Sequence, residues 1–494
     1  MLKKCSFLAL LILCACSSGQ KPSKVIYDPR LIFDVEAEVK KSPCNIQGKI
    51  PDWLSGTLLR DGSGKFHVGD KEVDFFDGLA MLHAFEFTPD QVLYTNRFIR
   101  SEQYYIMVNE KSLNYKGFAM DPCPIVFKNQ TSKFIPQEMK NITNAGVSIQ
   151  QYADKIVALT EAPLPVVFDP QTLETIGVFD YQDQLEQGPW ESAHPQLDSS
   201  DQEMVNYFVK FGPKSSYVVW RMPGNQSARE VIAEIPVEFP SYMHSFALTE
   251  RYVVLTEFPF VVNPLDLVQE KKPFIFNYQW KPERGTVFNI IDRSTGVVTK
   301  IKGPPFFAFH HVNAYDKEGQ IIMDICTHAN ADIISVATGK ITQKSTAVKS
   351  QKTQIERFTI DIATQVLSRE VIFNETADMP RVHPNKVAHE YRYAYLAFVQ
   401  SPTPYIEKSP LHKVDVVAKT AVSWEEEGCW PGEPIFVPRP NGQSEDDGVV
   451  LSLILDYVHH RSFLLILDAA SFKEIARAEA PHAIPVGLHG MWKD

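Results

Sequence analysis

Residues 289–301, NIIDRSTGVVTKI, decide the fold. An apolar, β-branched stretch ends at Asp292, a polar turn follows, and a second alternating stretch begins. β-Branched residues favour strands, and Asp and Ser/Thr side chains bond the backbone at such turns. The same design recurs in VVFDPQTLETIGVF (166–179), FTIDIATQVLSREVI (358–372) and LLILDAASFKEIARAEA (464–480), with turns at Asp169, Asp361 and Asp468. AFEFTPDQVLYTNRFI (84–99), SFALTERYVVLTEF (245–258) and NAYDKEGQIIMDIC (313–326) read as further hairpins. Hairpins recurring along so long a chain fit an all-β propeller of four-stranded blades, which leaves only short protected edges. The Asp turns are unevenly spaced, so the blades cannot be counted, and a two-sheet sandwich repeated in tandem satisfies the same pattern. Segments 124–145 and 262–284 read as insertions.

The chain has 494 residues, 44% of them hydrophobic and 11% aromatic, enough for a large core. Its formal charge is -11 and no long basic run occurs, which argues against a nucleic-acid partner. The opening MLKKCSFLALLILCACSSGQ has two lysines, an apolar stretch too short to span a bilayer, and then small residues, a signal-peptide layout. Leu13, Cys14 and Ala15 before Cys16 resemble a bacterial lipoprotein signal, with Cys16 as lipid acceptor; ordinary signal cleavage is the alternative. The expected organisation is a signal peptide over 1–15, a flexible linker over 16–27, and a single domain over 28–494. A lipoprotein of this kind belongs to the bacterial cell envelope, on the periplasmic side, and Ser17 is compatible with outer-membrane retention. Of seven cysteines, Cys44, Cys123, Cys326 and Cys429 are scattered, with no C-x-x-C pair to suggest zinc.

Among fourteen histidines, a lone one is more often surface or satisfied core than ligand, and no H-E-x-x-H motif is present. Four stand in distinctive settings: His194 in ESAHPQLD, His244 in SYMHSFALTE, His310 in FFAFHHVNAYDKEG and His489 in VGLHGMWKD. Long intervals separate them, as they would if several blades each sent one ligand to a central axis. His310 and His311 are adjacent, and successive strand residues point to opposite faces, so the two do not serve one centre.

FFDGLAMLHAFEF (75–87), ESAHPQLD, SYMHSFALTE, FHHVNAY, GEPIFVPRP (432–440), EDDGVVLSLILD (445–456) and GLHGMW (487–492) together resemble the carotenoid cleavage oxygenase family, in its order, from about residue 28 onward. Several phrases are closest to the animal branch, which includes the retinal pigment epithelium isomerase. The resemblance implies a seven-bladed propeller with a loop and helix cap over an axial site, where one Fe(II) per subunit is held by His194, His244, His310 and His489. His311 and His83 are then structural. Imidazole suits iron, and a ligand shell without carboxylate leaves the full charge on the metal with positions free for dioxygen, the co-substrate. The family's outer glutamates, which orient the imidazoles, match Glu161 in ALTEAP and Glu433 in PGEPIF. The third falls at Asp378 in ADMPRVHP. Asp is one methylene shorter, so either the backbone approaches the imidazole or a water bridges the gap.

The implied activity is dioxygen-dependent cleavage of a conjugated C=C bond of a carotenoid or apocarotenoid, giving aldehyde or ketone products. Two alternatives stay open. One is stilbene cleavage or retinoid isomerisation on the same scaffold, although Thr160 stands where the stilbene branch places a lysine for the substrate phenol. The other is a non-catalytic lipoprotein that binds apolar ligands. GFAMDPCPIVF (117–127) resembles the family's apolar segment. Its Phe118, Met120, Ile125, Val126 and Phe127 are expected to dip into lipid beside the anchor, with a buried loop as the alternative.

Overall fold

The computed structural model describes residues 27–69, 71–89, 91–113, 117–119, 142–186, 188–269, 272–339, 353–397 and 409–494. The proposed signal, residues 16–26 of the proposed linker and Cys16 therefore lie outside the described residues, as do Cys123, Met120, Ile125, Val126 and Phe127. Tyr27, at the linker's end, is buried in the domain and accepts from the Phe75 amide. The described strands form seven antiparallel sheets of four to six strands and two short two-stranded sheets. The seven larger sheets are the blades of a seven-bladed β-propeller.

The Asp turns do what their sequence suggests. Asp292 Oδ1 accepts from the Ser294 and Thr295 amides at 3.1 and 3.0 Å, closing the hairpin of Thr286–Asp292 with Val298–Gly303. Asp169, Asp361 and Asp468 make the equivalent bonds to Thr172, Thr364 and Ser471. Each turn joins the third and fourth strands of its blade, counting outward from the axis. Asp415 caps a fifth such turn through the amides of Val417 and Ala418.

Blades stack face to face, so an interior strand is apolar on both sides and reads as a nearly continuous apolar run. Gly448–Asp456, GVVLSLILD, is buried throughout. Its Val449, Leu451 and Leu453 pack with Leu58, Phe85 and Tyr94 of the first blade. The alternating Val450 and Ile454 pack with Tyr395, Ala397 and Leu411 of the sixth.

The ring closes by exchange of strands between the two ends of the chain. Gly490–Lys493 pairs with Gly56–Lys65 as the axial strand of the first blade. Asn45–Gly48 pairs with Lys473–Glu479 at the outer edge of the seventh. A Cβ at Gly490 would collide with the Leu59 carbonyl, so only glycine allows this approach directly after His489.

Helices inserted between strands build the cap: Glu102–Asn109, between the first two blades; Pro264–Val268, in the fourth; and Asp332–Ala337, in the fifth. Among the described residues no helix is long and apolar enough to cross a membrane.

Candidate metal centre

Four of the seven blades each deliver one imidazole to a common point. His194 sits where the inner strand of the third blade breaks, between Trp190–Glu191 and Gln196–Asp198. His244 precedes Ala247–Leu248 in the fourth blade. His310 lies within Phe307–Lys317 in the fifth, and His489 leads into Gly490–Lys493 in the first. One nitrogen from each ring lies within 4.8 Å of the others. His194 Nε2 is 2.9 Å from His244 Nε2, and His310 Nε2 is 3.3 Å from His489 Nε2.

The remaining three blades supply carboxylates. Glu161, from the second, meets His244 Nδ1 at 2.6 Å. Asp378, from the sixth, meets His310 Nδ1 at 2.7 Å. Glu433, from the seventh, meets His489 Nδ1 at 2.7 Å. An imidazole that donates Nδ1–H to a carboxylate keeps its lone pair on Nε2. Three such lone pairs therefore converge beside His194, an arrangement that is repulsive unless a cation lies between them. Burial and the surrounding imidazoles hold His194 well below the ordinary histidine range. Burial likewise pulls His489 down to about 3, despite Glu433. His194 and His489 stay neutral, as metal ligands must. The donor set thus fits a divalent first-row ion.

The shorter Asp378 reaches His310 directly, with no water needed. The backbone makes up the missing methylene: register shifts between Asp378 and Arg381, and Met379 adopts a left-handed conformation with φ 50°. The bulged strand brings the carboxylate inward.

A second register shift, between Ala308 and His311, separates the paired histidines. His310 turns to the cluster. His311 turns away and spends both nitrogens on hydroxyls, Ser245 Oγ and Thr256 Oγ1, each at 2.8 Å. Burial lowers its pKa to about 3, so it is a neutral packing residue. His83 is also buried, bonded to Tyr94 at 2.8 Å.

Several supporting residues went unread in the sequence. Glu433 also accepts from Arg381 Nε at 2.7 Å, Arg60 Nη1 at 2.9 Å and the Gly490 amide at 2.9 Å. Burial alone would raise this carboxyl, but Arg381, His489 and Arg60 hold it well below the usual range. Trp190 and Tyr242 donate to Glu161 at 3.3 and 2.8 Å. Serines pin the histidine-bearing loops from one blade to the next. Ser148 donates to the Ala193 carbonyl, Ser192 to that of His244 at 2.7 Å, and Ser245 to that of Phe309 at 2.8 Å. Serines beside histidines in ESAH and MHS were the available signal.

A cavity of about 450 Å³ opens onto the rings of His244, His310 and His489. Aromatic and aliphatic side chains dominate its wall, among them Phe76, Trp190, Tyr242, Phe274, Phe309 and Ile333. Phe118, expected to face lipid, lines this cavity instead, with ring centroids 5.5 Å from Phe76 and 5.9 Å from Tyr242. Asp77 fixes its position by accepting from the Phe118 and Ala119 amides at 2.6 and 2.8 Å. Thr160 also lines the cavity, and among the described lining residues there is no lysine or arginine.

Residues 32–494 match the family described as retinal pigment epithelial membrane protein, RPE65. The chain is 32% identical to the chloroplastic carotenoid cleavage dioxygenase 8 of Arabidopsis thaliana, over 93% of this chain and 84% of that one. It is 31% identical to the beta,beta-carotene 15,15'-dioxygenase of Gallus gallus, over 93% and 97% respectively. Among solved structures, a mutant of Synechocystis ACO superposes with a TM-score of 0.83 at 28% identity, covering 95% of this chain and all of that one. The cobalt-substituted Synechocystis ACO gives 0.81 at 28% identity, covering 94% and 98%. With a seven-bladed ring whose axis gathers four imidazoles, this chain belongs to the RPE65 family of carotenoid cleavage oxygenases.

Proposed function

We propose that the protein is an iron(II) dioxygenase that cleaves a conjugated C=C bond of a carotenoid or apocarotenoid. The observation that carries this reading is the convergence of the Nε2 atoms of His244, His310 and His489 beside His194, with each of the three Nδ1 atoms committed to a carboxylate. His194, His244, His310 and His489 would hold Fe(II), while Glu161, Asp378 and Glu433 orient three of them. When bound, the ferrous ion supplies dioxygen binding and the redox capacity to turn one C=C and one O2 into two carbonyls.

The protein's own part is placement. The aromatic walls of the cavity accept an extended apolar chain and exclude water. Phe309 packs against the His244 and His310 rings at centroid distances of 5.6 and 6.3 Å, and Trp190 lines the same cavity. No acid or base is needed, in keeping with a site whose three carboxylates are already spent on imidazole N–H groups. A wall without lysine or arginine among its described residues offers a phenolate nothing to pair with, which favours a polyene over a hydroxylated stilbene. The names of the relatives, which cleave carotenoids, support the same substrate class.

The test is metal analysis of purified protein, followed by incubation of the Fe(II)-loaded form with carotenoids, apocarotenals and stilbenes under 18O2. The expected result is one iron per chain and a polyene split into two labelled carbonyl products. Turnover that proceeds without oxygen, or a protein that binds polyenes but takes up no metal, would overturn the proposal. Membrane anchoring through Cys16 belongs to the same reading. Replacing Cys16 with serine is expected to release the protein from membranes of a bacterial host, and unchanged membrane association would count against the anchor.

A further inference from the structure

We infer that His328 is a positioning residue for His310, acting through Asp378, and that Asp378 and His328 form a matched pair. This rests on the reading of the four rings as a metal centre. His328 ends the strand Gln320–His328, next to the strand that carries His310, and only 2% of it is exposed. Its ring lies against Phe307 and Phe309, at centroid distances of 6.4 and 6.2 Å. Nδ1 meets Thr353 Oγ1 at 3.4 Å. Nε2 has no hydrogen-bond partner and faces Asp378 Oδ2 at 3.9 Å.

The two oxygens of Asp378 have separate duties. Oδ1 accepts from His310 Nδ1 at 2.7 Å and from the Met379 amide at 2.9 Å. Oδ2 faces His328. A lone pair on Nε2 would repel that oxygen, whereas Thr353 donating to Nδ1 puts the hydrogen on Nε2, where it attracts it. His328 then holds the carboxylate plane from behind while Oδ1 holds His310. A glutamate at 378 would be longer by about one C–C bond, ~1.5 Å, and would drive its carboxylate into one of the two imidazoles. The aspartate and the buried histidine behind it thus suit one another. His311, also buried in the same blade, has both nitrogens satisfied by hydroxyls and has no such role.

The test compares His328→Gln, whose amide reaches as far as Nε2, with His328→Asn, whose amide stops at the level of Nδ1. Co(II) is titrated into each metal-free protein and followed by its d–d absorption. His328→Gln is expected to bind within about twofold of wild type, and His328→Asn about tenfold more weakly with an altered band, at the low end for outer partners of a ligand. Melting of the metal-free proteins checks that both fold alike. Asp378→Glu alone is expected to weaken Co(II) binding, and His328→Ala in the same chain to restore part of it. Equal affinity of the Gln and Asn variants, or additive effects of Asp378→Glu and His328→Ala, would overturn the pairing while leaving the metal centre intact. Wild-type protein that takes up no Co(II) would overturn the metal centre and the pairing together.

Discussion

Glu433→Gln keeps the length of the side chain and removes its charge, at a position only 1% exposed. The carboxylate accepts from His489 Nδ1 and Arg381 Nε on Oε1, and from Arg60 Nη1 and the Gly490 amide on Oε2. All four partners are donors, so the amide nitrogen of glutamine must face two of them. Whichever way it turns, one guanidinium loses its acceptor. Two lost bonds involving charge, at roughly 1.5–3 kcal/mol each, agree with the roughly 3–5 kcal/mol typical of breaking a buried ion pair. The expected loss is about 4 kcal/mol.

Glu161→Gln is the comparison. Glu161 accepts from Trp190, Tyr242 and His244 and from no guanidinium, so its amide can keep Oε1 toward His244 and Tyr242 and lose only the Trp190 bond to the carboxylate, roughly 1.5–3 kcal/mol. Urea unfolding of the metal-free proteins, followed by tryptophan fluorescence at matched slopes, reads both losses. The Glu433 contribution is fully present above the ordinary glutamate pKa of 4.5 and is lost as pH falls through the depressed folded value. The gap between wild type and Glu433→Gln should therefore narrow in acid. A Glu433→Gln loss no larger than that of Glu161→Gln would refute the reasoning.

Three further outcomes are expected. Glu191 is pushed up from 4.5 to about 8 by burial, against the pull of Arg229 and Trp220, so its share of stability is lost as pH rises across that window. Glu191→Gln should flatten the decline in melting temperature toward pH 9 and exceed wild type there. His311→Leu leaves the hydroxyls of Ser245 and Thr256 without their imidazole, costing about 1–3 kcal/mol, and should retain stoichiometric metal by elemental analysis. His489→Ala should lose metal and cost roughly 1.5–3 kcal/mol of metal-free stability, because Glu433 Oε1 loses one of its donors. Removal of residues 489–494 should lose metal and stability together, because it takes the axial strand of the first blade.

Much of the ring was legible where a local rule acts. Asp169, Asp292, Asp361 and Asp468 announce third-to-fourth strand turns because the side chain bonds amides two or three residues on. Asp415 does the same, but VDVVAK carries no polar turn residues to mark it. The blades could not be counted because helices interrupt the fourth and fifth blades, and because the first and seventh borrow strands from opposite ends of the chain. The four imidazoles were found through the resemblance of whole phrases to a family, since spacing alone leaves them among fourteen histidines. The sequence left open whether Asp378 meets His310 directly or through water, since the direct contact depends on a positive φ at Met379 that methionine seldom adopts. Arg60 and Arg381 gave no signal either, because nothing local marks an arginine whose partner lies across the ring.

The ring closure also governs the order of biogenesis. A polypeptide is made from residue 1 onward, so the imidazoles of His194, His244 and His310 are available well before His489. Until Gly490–Lys493 seats against Gly56–Lys65, a growing chain offers an ion three imidazoles and an open gap between the last blade and the first. Tight capture therefore waits on the final circularisation, and cofactor insertion becomes a late checkpoint that reports whether the last strand has found its place.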